Sequence, residues 1–405
     1  MTARALAPLE AELQAVEQVR VVAAGKAALG MGTAAAQILG RRLTAGVMTA
    51  NVGASQDLDP RWQFIPGSHP VPGVASEEAG RAALRLAAET QGKGHLLLVC
   101  LSGGASAMLA VPAPGLALED KAATTRVMLR AGLDIGAINV VRRHLSAIKG
   151  GQLAAAAHRT VTLAISDVSG PIEDDPAAIG SGPTVGDPTT FSDAIRILDA
   201  RDLLGAIPAR VVDHLRAGEA GRVAGPVRPD DARLNRSAYW IAASRHDAMR
   251  AAADAARRIG YQVTVRPGAV DGAARDAAAM LFEEASGLTR PACFIASGET
   301  TVHVTGGGRG GRNQELAVAS LARLAALGQC ALASIGTDGV DGPTDAAGAF
   351  VDYETWPALG SDAEAQCLAA LEQNDTYPLL DRLGALVKNG PTGTNVGDLQ
   401  VLLLG

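Results

Sequence analysis

Five short apolar runs in this chain each break into a turn of small residues, and that repeated junction restricts the fold more than any other feature. His95 to Leu101 leads into S-G-G-A-S at 102–106, V-V-A-A-G-K occupies 21–26, and S-D-V-S-G, S-G-E-T-T and G-T-D-G-V-D-G begin at 166, 297 and 336. A strand that ends in small residues and opens into a helix points backbone N–H groups at one spot and leaves room for an anion. In an open α/β sheet, ligands bind outside the carboxyl ends of the strands. The five junctions predict a layered α/β protein with one large site for a phosphorylated ligand.

Composition supports the layering. Hydrophobic residues make up 48% of the 405 residues but aromatics only 3%, so the interior is built from Ala, Val, Leu and Ile, which suits helices on parallel strands. The length exceeds what one core holds and predicts two domains. Strand candidates at 19–24, 95–101 and 160–166 alternate with helical stretches, the βαβ rhythm of a parallel sheet. A polar segment at 218–235 without apolar period reads as the linker. It divides a Rossmann-like parallel-sheet domain, 1–225, from a smaller α/β domain with a mixed sheet, 226–405, whose strand candidates are 238–243, 261–265, 292–296, 301–305 and 400–404.

Several classes of protein are disfavoured. A net charge of -6 argues against a nucleic-acid surface. Cys100, Cys293, Cys330 and Cys367 form no C-x-x-C pair, so neither a zinc site nor a disulfide framework is indicated and a reducing cytoplasm fits best. Met1 opens an Ala-rich helix carrying Glu10, Glu12 and Glu17, unlike a signal peptide. No apolar stretch reaches the roughly 18 residues of a spanning helix. A homodimer is the default assembly.

Among the candidate functional residues, Lys26 follows a buried strand and is aimed at the ligand edge of the sheet. It is one of only five lysines. Lys149 is a second candidate, against the plainer reading that Arg142, Arg143 and Lys149 decorate the exposed face and end of a helix. The S-G-G-A-S loop, with Ser102, Gly103, Gly104 and Ser106, reads as a phosphate cradle. Ala27 stands where a Walker loop needs Ser or Thr, G-x-G-x-x-G is missing after the first strand, and G-x-S-x-G does not fit at 102–106. In G-G-G-R-G-G-R-N-Q-E at 306–315, glycines on both sides of Arg309 and Arg312 would let a guanidinium swing onto a phosphate or carboxylate. Arg312 opens a helix expected from Gln314, where a cation opposes the macrodipole and calls for a compensating anion. Acids gather at Asp167, Glu173, Asp174 and Asp175 and again at Asp338, Asp341 and Asp345. Asp167 and Asp338, each at a strand end, are preferred as metal ligand or base. His69, His144, His246 and His303 are scattered and read as structural or exposed.

Taken together, V-A-A-G-K-A-A, G-S-H-P-V-P, L-S-G-G-A-S-A-M, N-V-V-R-R-H-L-S-A-I-K-G-G-Q-L-A, S-G-E-T-T-V, G-R-G-G-R-N-Q-E-L and G-P-T-G-T-N-V-G-D-L, in order over nearly the whole chain, resemble the glycerate 2-kinase family with its C-terminal MOFRL region, here about 292–400. The resemblance implies ATP- and magnesium-dependent phosphorylation of D-glycerate at its 2-hydroxyl. It also implies an active site between the two domains that uses Lys26 and Arg312. One departure is visible: after I-S-D-V the chain reads S-G-P-I-E-D-D-P, so the acid acting with Asp167, whether Asp174 or Asp175, stays open. An NAD(P)H-dependent hydroxypyruvate reductase is the rival enzyme, and a non-catalytic sensor of phosphorylated metabolites the rival binding module.

Overall fold

The computed structural model describes residues 13, 16–51 and 58–405 and divides into two compact units, the first ending at Ala242. The helix expected over Glu10 and Glu12 lies outside the described residues, and Glu17 sits in the bend before the first strand.

The first unit is built on a six-stranded sheet. Its strands are β1 (Gln18–Ala24), β2 (Leu43–Thr49), β3 (Trp62–Phe64), β4 (His95–Leu101), β5 (Thr160–Ile165) and β6 (Ser237–Ala243), in the spatial order β3-β2-β1-β4-β5-β6. The pairs from β3 through β5 are parallel, with Val21 opposite Gly46 on one side and Leu98 on the other. Period-2 alternation sends Val21 and Ala23 to one face, with α1 (Ala28–Leu39), and Val22 and Ala24 to the other, with α2 (Val74–Ala88). Both faces are covered, which is why these strands read as unbroken apolar runs. Strand order reverses between β1 and β4, so the crevice at their carboxyl ends is the expected ligand position.

After β4 come the single turn α3 (Ala105–Met108), α4 (Leu118–Arg130), α5 (Ile135–His144) and the single turn α6 (Gln152–Ala155). After β5 follow α7 (Phe191–Asp199) and α8 (Ala209–Glu219). Helices α4, α5, α7 and α8 share a separate core around Met128, Val141, Phe191 and Leu215.

The second unit holds another six-stranded sheet. Its elements are α9 (Arg245–Arg258), β7 (Gln262–Val265), α10 (Ala274–Ala285), β8 (Ala292–Gly298), α11 (Arg312–Leu327), β9 (Cys330–Gly336), β10 (Gly348–Asp352), α12 (Ala363–Glu372), α13 (Thr376–Arg382), β11 (Leu386–Val387) and β12 (Asp398–Leu404). The order is β11-β10-β9-β12-β8-β7, with β7 and β8 parallel and the other pairs antiparallel, the mixed sheet expected. Leu316, Leu321 and Leu324 of α11 pack with α10 against one face, and α9 covers Cys293 and Ile295 on the other.

Three sequence expectations are corrected. The strand expected at 238–243 to open the second half is β6, an edge of the first sheet. The presumed linker 218–235 is packed: Val227 is buried and exchanges backbone bonds with Gly150 and Asp187 (2.9 and 2.8 Å), and single bonds to an irregular loop leave no apolar period to read. Residues 301–305 form no strand, only a bridge from Thr301 to Ala273.

Of the three basic groups that the plainer reading put on the exposed face and end of a helix, two lie inside the first unit. Arg143 is paired with buried Asp187 at 2.7 Å. Lys149 is 2% exposed. A third buried cation is Lys121 of α4, whose Nζ donates to the Leu145 carbonyl at 2.8 Å, and burial with nearby Arg142 pushes its ammonium down to about 7 against the opposing pull of Glu77. An unfolded lysine titrates near 10.5. Between those two values the unfolded chain therefore binds more protons than the folded one, and stability rises with pH across that window. Urea unfolding at pH 7 and pH 9.5 is expected to show a gain of roughly 2–3 kcal/mol from this group. The gain should disappear in Lys121→Met. Equal pH slopes for the two proteins would show that Lys121 titrates normally.

Candidate active site

In the first unit, the loops after β1 and β4 are zipped together at the strand-order reversal. Ser102 N–H donates to the Ala24 carbonyl at 3.0 Å, its hydroxyl accepts from Ala27 N–H at 2.9 Å, and Lys26 N–H donates to the Gly103 carbonyl at 2.9 Å. Gly25 has φ +115°, and a Cβ there would collide with Ser102. The zip fixes where Lys26 leaves the backbone. It also shows that the Ser102 hydroxyl, fully buried, belongs to the latch instead of facing a phosphate.

Gly103 is required for a different reason. A Cβ on it would strike the Asp167 carboxylate, which reaches over from the end of β5. Gly104 takes φ +85° to turn the chain into α3, with His69 only 3.1 Å from where its Cβ would be. The Ser106 hydroxyl meets that of Ser181 at 2.7 Å, and Ser181 donates to Asn139 of α5 at 2.9 Å. Lys26, the 102–106 loop and Asp167 are thus presented at neighbouring strand ends.

Lys149 is placed differently from its expected position at a ligand. Its Nζ donates to three backbone carbonyls, Ser106 at 2.8 Å, Leu109 at 3.3 Å and Gly180 at 3.3 Å. Burial, reinforced by Lys121 and Arg142, holds its ammonium well below the ordinary lysine value. It pins the glycine loop from behind. The segment holding Glu173, Asp174 and Asp175 is a compact turn in which Asp175 accepts from Ala177 N–H at 2.9 Å.

Two residues at this edge were not picked out by spacing. His69 lies against Gly104, and burial, with the charges of Lys26 and Arg142, pushes its imidazole down toward the neutral form. Arg142 is one turn beyond Asn139 on α5, and burial draws its guanidinium below the ordinary value. The only sequence signal for either was its place inside a longer motif.

In the second unit, Arg312 begins α11 and is held by the protein's own carboxylates. Asp398 accepts from Nε at 2.6 Å and Nη2 at 2.9 Å, and Glu299 lies 2.9 Å from Nη1. Burial works against this charge, yet Asp398, Glu299 and Asp341 hold it above the ordinary arginine value. Asp341 caps α11 from another loop, accepting from Asn313 N–H at 3.1 Å and Gln314 N–H at 2.9 Å. Burial raises the Asp341 carboxyl, though these hydrogen bonds oppose it. The anion expected from a ligand at this helix opening is therefore already present. Asp338 stands at the same turn: a Cβ on Gly336 would lie 3.2 Å from Asp338 Oδ1 and 3.5 Å from Asp398 Oδ1.

The glycine-rich segment is not a swivel. The Asn374 side chain accepts from Thr305 and Gly306 N–H (2.8 and 2.9 Å) and donates to the His303 carbonyl at 3.2 Å, while Gly308 N–H donates to the Gln373 carbonyl at 2.9 Å. Side chains at 306, 308 and 310 would collide with residues 373–376. These glycines admit a close neighbour. Arg309 departs from Arg312, stacking over Tyr377 at 4.0 Å and facing Asp345 at 3.6 Å. Beside Arg312 opens a cavity of about 460 Å³.

Both halves of the chain match known families: the domain of unknown function DUF4147 over residues 2–216 and the MOFRL family over 292–398. A glycerate 2-kinase of Pyrococcus horikoshii is 35% identical, covering 97% of this chain and 89% of its own. The chain belongs to the glycerate 2-kinase family. A crystal structure of glycerate kinase from Thermotoga maritima superposes with a TM-score of 0.86 at 33% identity, covering 100% of this chain and 95% of that one. An Agrobacterium vitis protein provisionally named a hydroxypyruvate reductase is 38% identical over 95% of this chain and 87% of its own. As in that family, the chain is a kinase built on a parallel-sheet unit and a mixed-sheet unit. Among the described residues no helix is long and apolar enough to cross a membrane.

Because a Cβ at 103 would collide with the Asp167 carboxylate, Gly103→Ala should displace that acid while the sheet stays intact. We expect kcat to fall at least about 100-fold, the scale of loss from a misplacement near 1 Å, with an unchanged circular dichroism spectrum. Turnover within threefold of the parent would dissociate Asp167 from the chemistry.

Proposed function

We propose that this chain transfers the γ-phosphoryl group of ATP to the 2-hydroxyl of D-glycerate, giving 2-phosphoglycerate and ADP. The observation that carries the reading is the first unit's strand-end cluster. Backbone bonds fix a lysine and a glycine loop at the strand-order reversal, and a carboxylate from the end of the neighbouring strand β5 lies against the loop at Gly103. Phosphoryl transfer is mostly a matter of positioning and charge stabilisation, which is what such a cluster offers.

In this reading Lys26 offsets charge on the transferring group, and N–H groups of Gly103, Gly104 and Ser106 face the phosphates. Asp167 accepts the 2-hydroxyl proton or holds magnesium. In the second unit, Arg312 spends three N–H groups on Asp398 and Glu299 and keeps donor capacity on Nη1 and Nη2 for a substrate oxygen. Asp338, half-buried at the end of β9, is the alternative acid for either role. A magnesium ion usually takes one or two protein carboxylates and keeps waters and substrate phosphates, and single acids at strand ends fit that demand. When bound, it neutralises phosphate charge as transfer proceeds. A cytoplasmic enzyme is in keeping with four free cysteines, all buried.

The strand order is also that of dinucleotide-binding sheets, which favours the reductase reading. Against it, the first turn reads G-K-A-A-L-G-M-G and lacks the glycine spacing a pyrophosphate needs.

The deciding experiment supplies ATP, magnesium and D-glycerate and identifies the product by phosphorus NMR, with NADH and hydroxypyruvate in a parallel cuvette. 2-Phosphoglycerate is expected. NADH oxidation without a phosphorylated product would reverse the assignment. Lys26→Ala should remove more than about 3 kcal/mol of transition-state stabilisation, as loss of one preorganised charge contact does. Near-normal turnover would take Lys26 out of the mechanism.

A further inference from the structure

Adjacent arginines on α5 are treated in opposite ways. Arg143 is buried against Asp187, its Nε donating to the carboxylate at 2.7 Å and its Nη1 to the Ala177 carbonyl at 3.2 Å. Arg142 is half-buried without such a partner. Among the described residues it is the one arginine withdrawn from solvent that makes neither a hydrogen bond nor an ion pair with the protein. We propose that Arg142 binds the carboxylate of the acceptor hydroxy acid, at a site built wholly from the first unit; the assignment rests on the kinase reading above.

Placement is the first support. Asn139 lies one turn before Arg142 on the same face of α5. Its side chain accepts from the Ser181 hydroxyl, which meets that of Ser106 in the glycine loop. This face of the helix is therefore turned toward the loop that carries Gly103 and Gly104.

Charge is the second. Arg142 acts on His69, which lies against Gly104, and on the buried ammonium groups of Lys121 and Lys149, lowering all three, and Lys26 adds to the effect on His69. The acid that opposes this, Glu77, acts on Lys121 and is itself bonded to Arg81 at 2.8 Å. Repulsion among cations in a poorly solvated region is a standing cost, and an anion on Arg142 offsets it.

Donor geometry is the third. The planar fork of a guanidinium matches a carboxylate with two parallel hydrogen bonds, and none of the Arg142 N–H groups is committed elsewhere. Lys149 cannot take this part, because its three donors are spent on the Ser106, Leu109 and Gly180 carbonyls. In the kinase reading the phosphates go to Lys26, the loop N–H groups and magnesium, which leaves the carboxylate as the anion still to be received in this unit. Anchoring it also sets which hydroxyl is presented, since the 2-hydroxyl is on the adjoining carbon and the 3-hydroxyl one carbon beyond.

The test uses the full chain with ATP and magnesium. Arg142→Ala should raise the D-glycerate KM at least about 100-fold and leave the ATP KM within twofold. Arg142→Lys, which keeps the charge and loses the fork, should raise it about tenfold. D-Glyceramide, the neutral amide, separates ligand contact from a structural role: the parent should prefer the acid in kcat/KM by at least about 100-fold and Arg142→Ala by less than about tenfold. A D-glycerate KM within twofold of the parent in both variants would overturn the proposal, as would a rise confined to the ATP KM, which would put a phosphate on Arg142, or an undiminished acid preference in Arg142→Ala. If Arg142→Ala does not fold, Arg142→Lys and its acid preference decide alone. A parent chain that phosphorylates nothing would strike at the kinase reading. Calorimetry with D-glycerate then decides the site by itself: binding to the parent that weakens in the variants would keep it standing, and equal or absent binding would overturn it.

Discussion

The first unit depends on one backbone latch, the exchange between the β1 and β4 turns at Ala24, Lys26, Ala27, Ser102 and Gly103. A fully buried serine hydroxyl accepting from an amide has nowhere else to go, and leaving that amide unpaired would cost about 1–3 kcal/mol. The latch holds the turns so closely that Gly25 and Gly103 have no space for a side chain, one because of Ser102 and the other because of Asp167. Lys149 reinforces the arrangement from inside by binding the carbonyls of Ser106 and Leu109. A half-buried lysine through its backbone N–H and a buried lysine through its ammonium thus serve the same loop.

The second unit solves a similar problem with charge. Arg312 sits where the helix field repels it, and three acids from three separate segments gather to compensate: Glu299 after β8, Asp341 after β9 and Asp398 at the start of β12. Two of the three are almost completely buried, so removing Arg312 would leave uncompensated negative charge in the interior. The guanidinium is consequently oriented before any ligand arrives, in keeping with a binding group that loses little freedom on use.

Much of the fold was legible because both faces of the first sheet are buried. Continuous apolar runs such as His95–Leu101 then mark strands without ambiguity, and the glycine turns after them mark the ligand edge. Legibility failed where a partner lies far off in the chain. Asp341 and Asp398 stand 28 and 86 residues from the groups they bind, and no local pattern singles out either as a partner of α11. Glycine permits motion and so suggests flexibility at 306–311, yet Gly306, Gly308 and Gly310 are there to admit residues 373–376. Nothing near Arg143 and Lys149 in sequence reveals Asp187 or the ring of carbonyls that holds each of them inside the fold. Strand β6 reads as the start of the second half because the chain crosses a polar, aperiodic return before joining the first sheet.

The position of β12 in its sheet carries a consequence for how the second unit comes into being. This strand lies between β8 and β9, pairing with both along all seven of its residues, yet it follows every other strand of that sheet in the chain. During synthesis, β7 with β8 and β9 with β10 therefore emerge as two separate half-sheets, each presenting an open inner edge of the kind that invites pairing with other chains. The first residue of the strand that closes the gap is Asp398, the carboxylate that clasps Arg312. Completion of the sheet and assembly of the arginine site are the same event, so a nascent chain has no finished site until its last strand has docked.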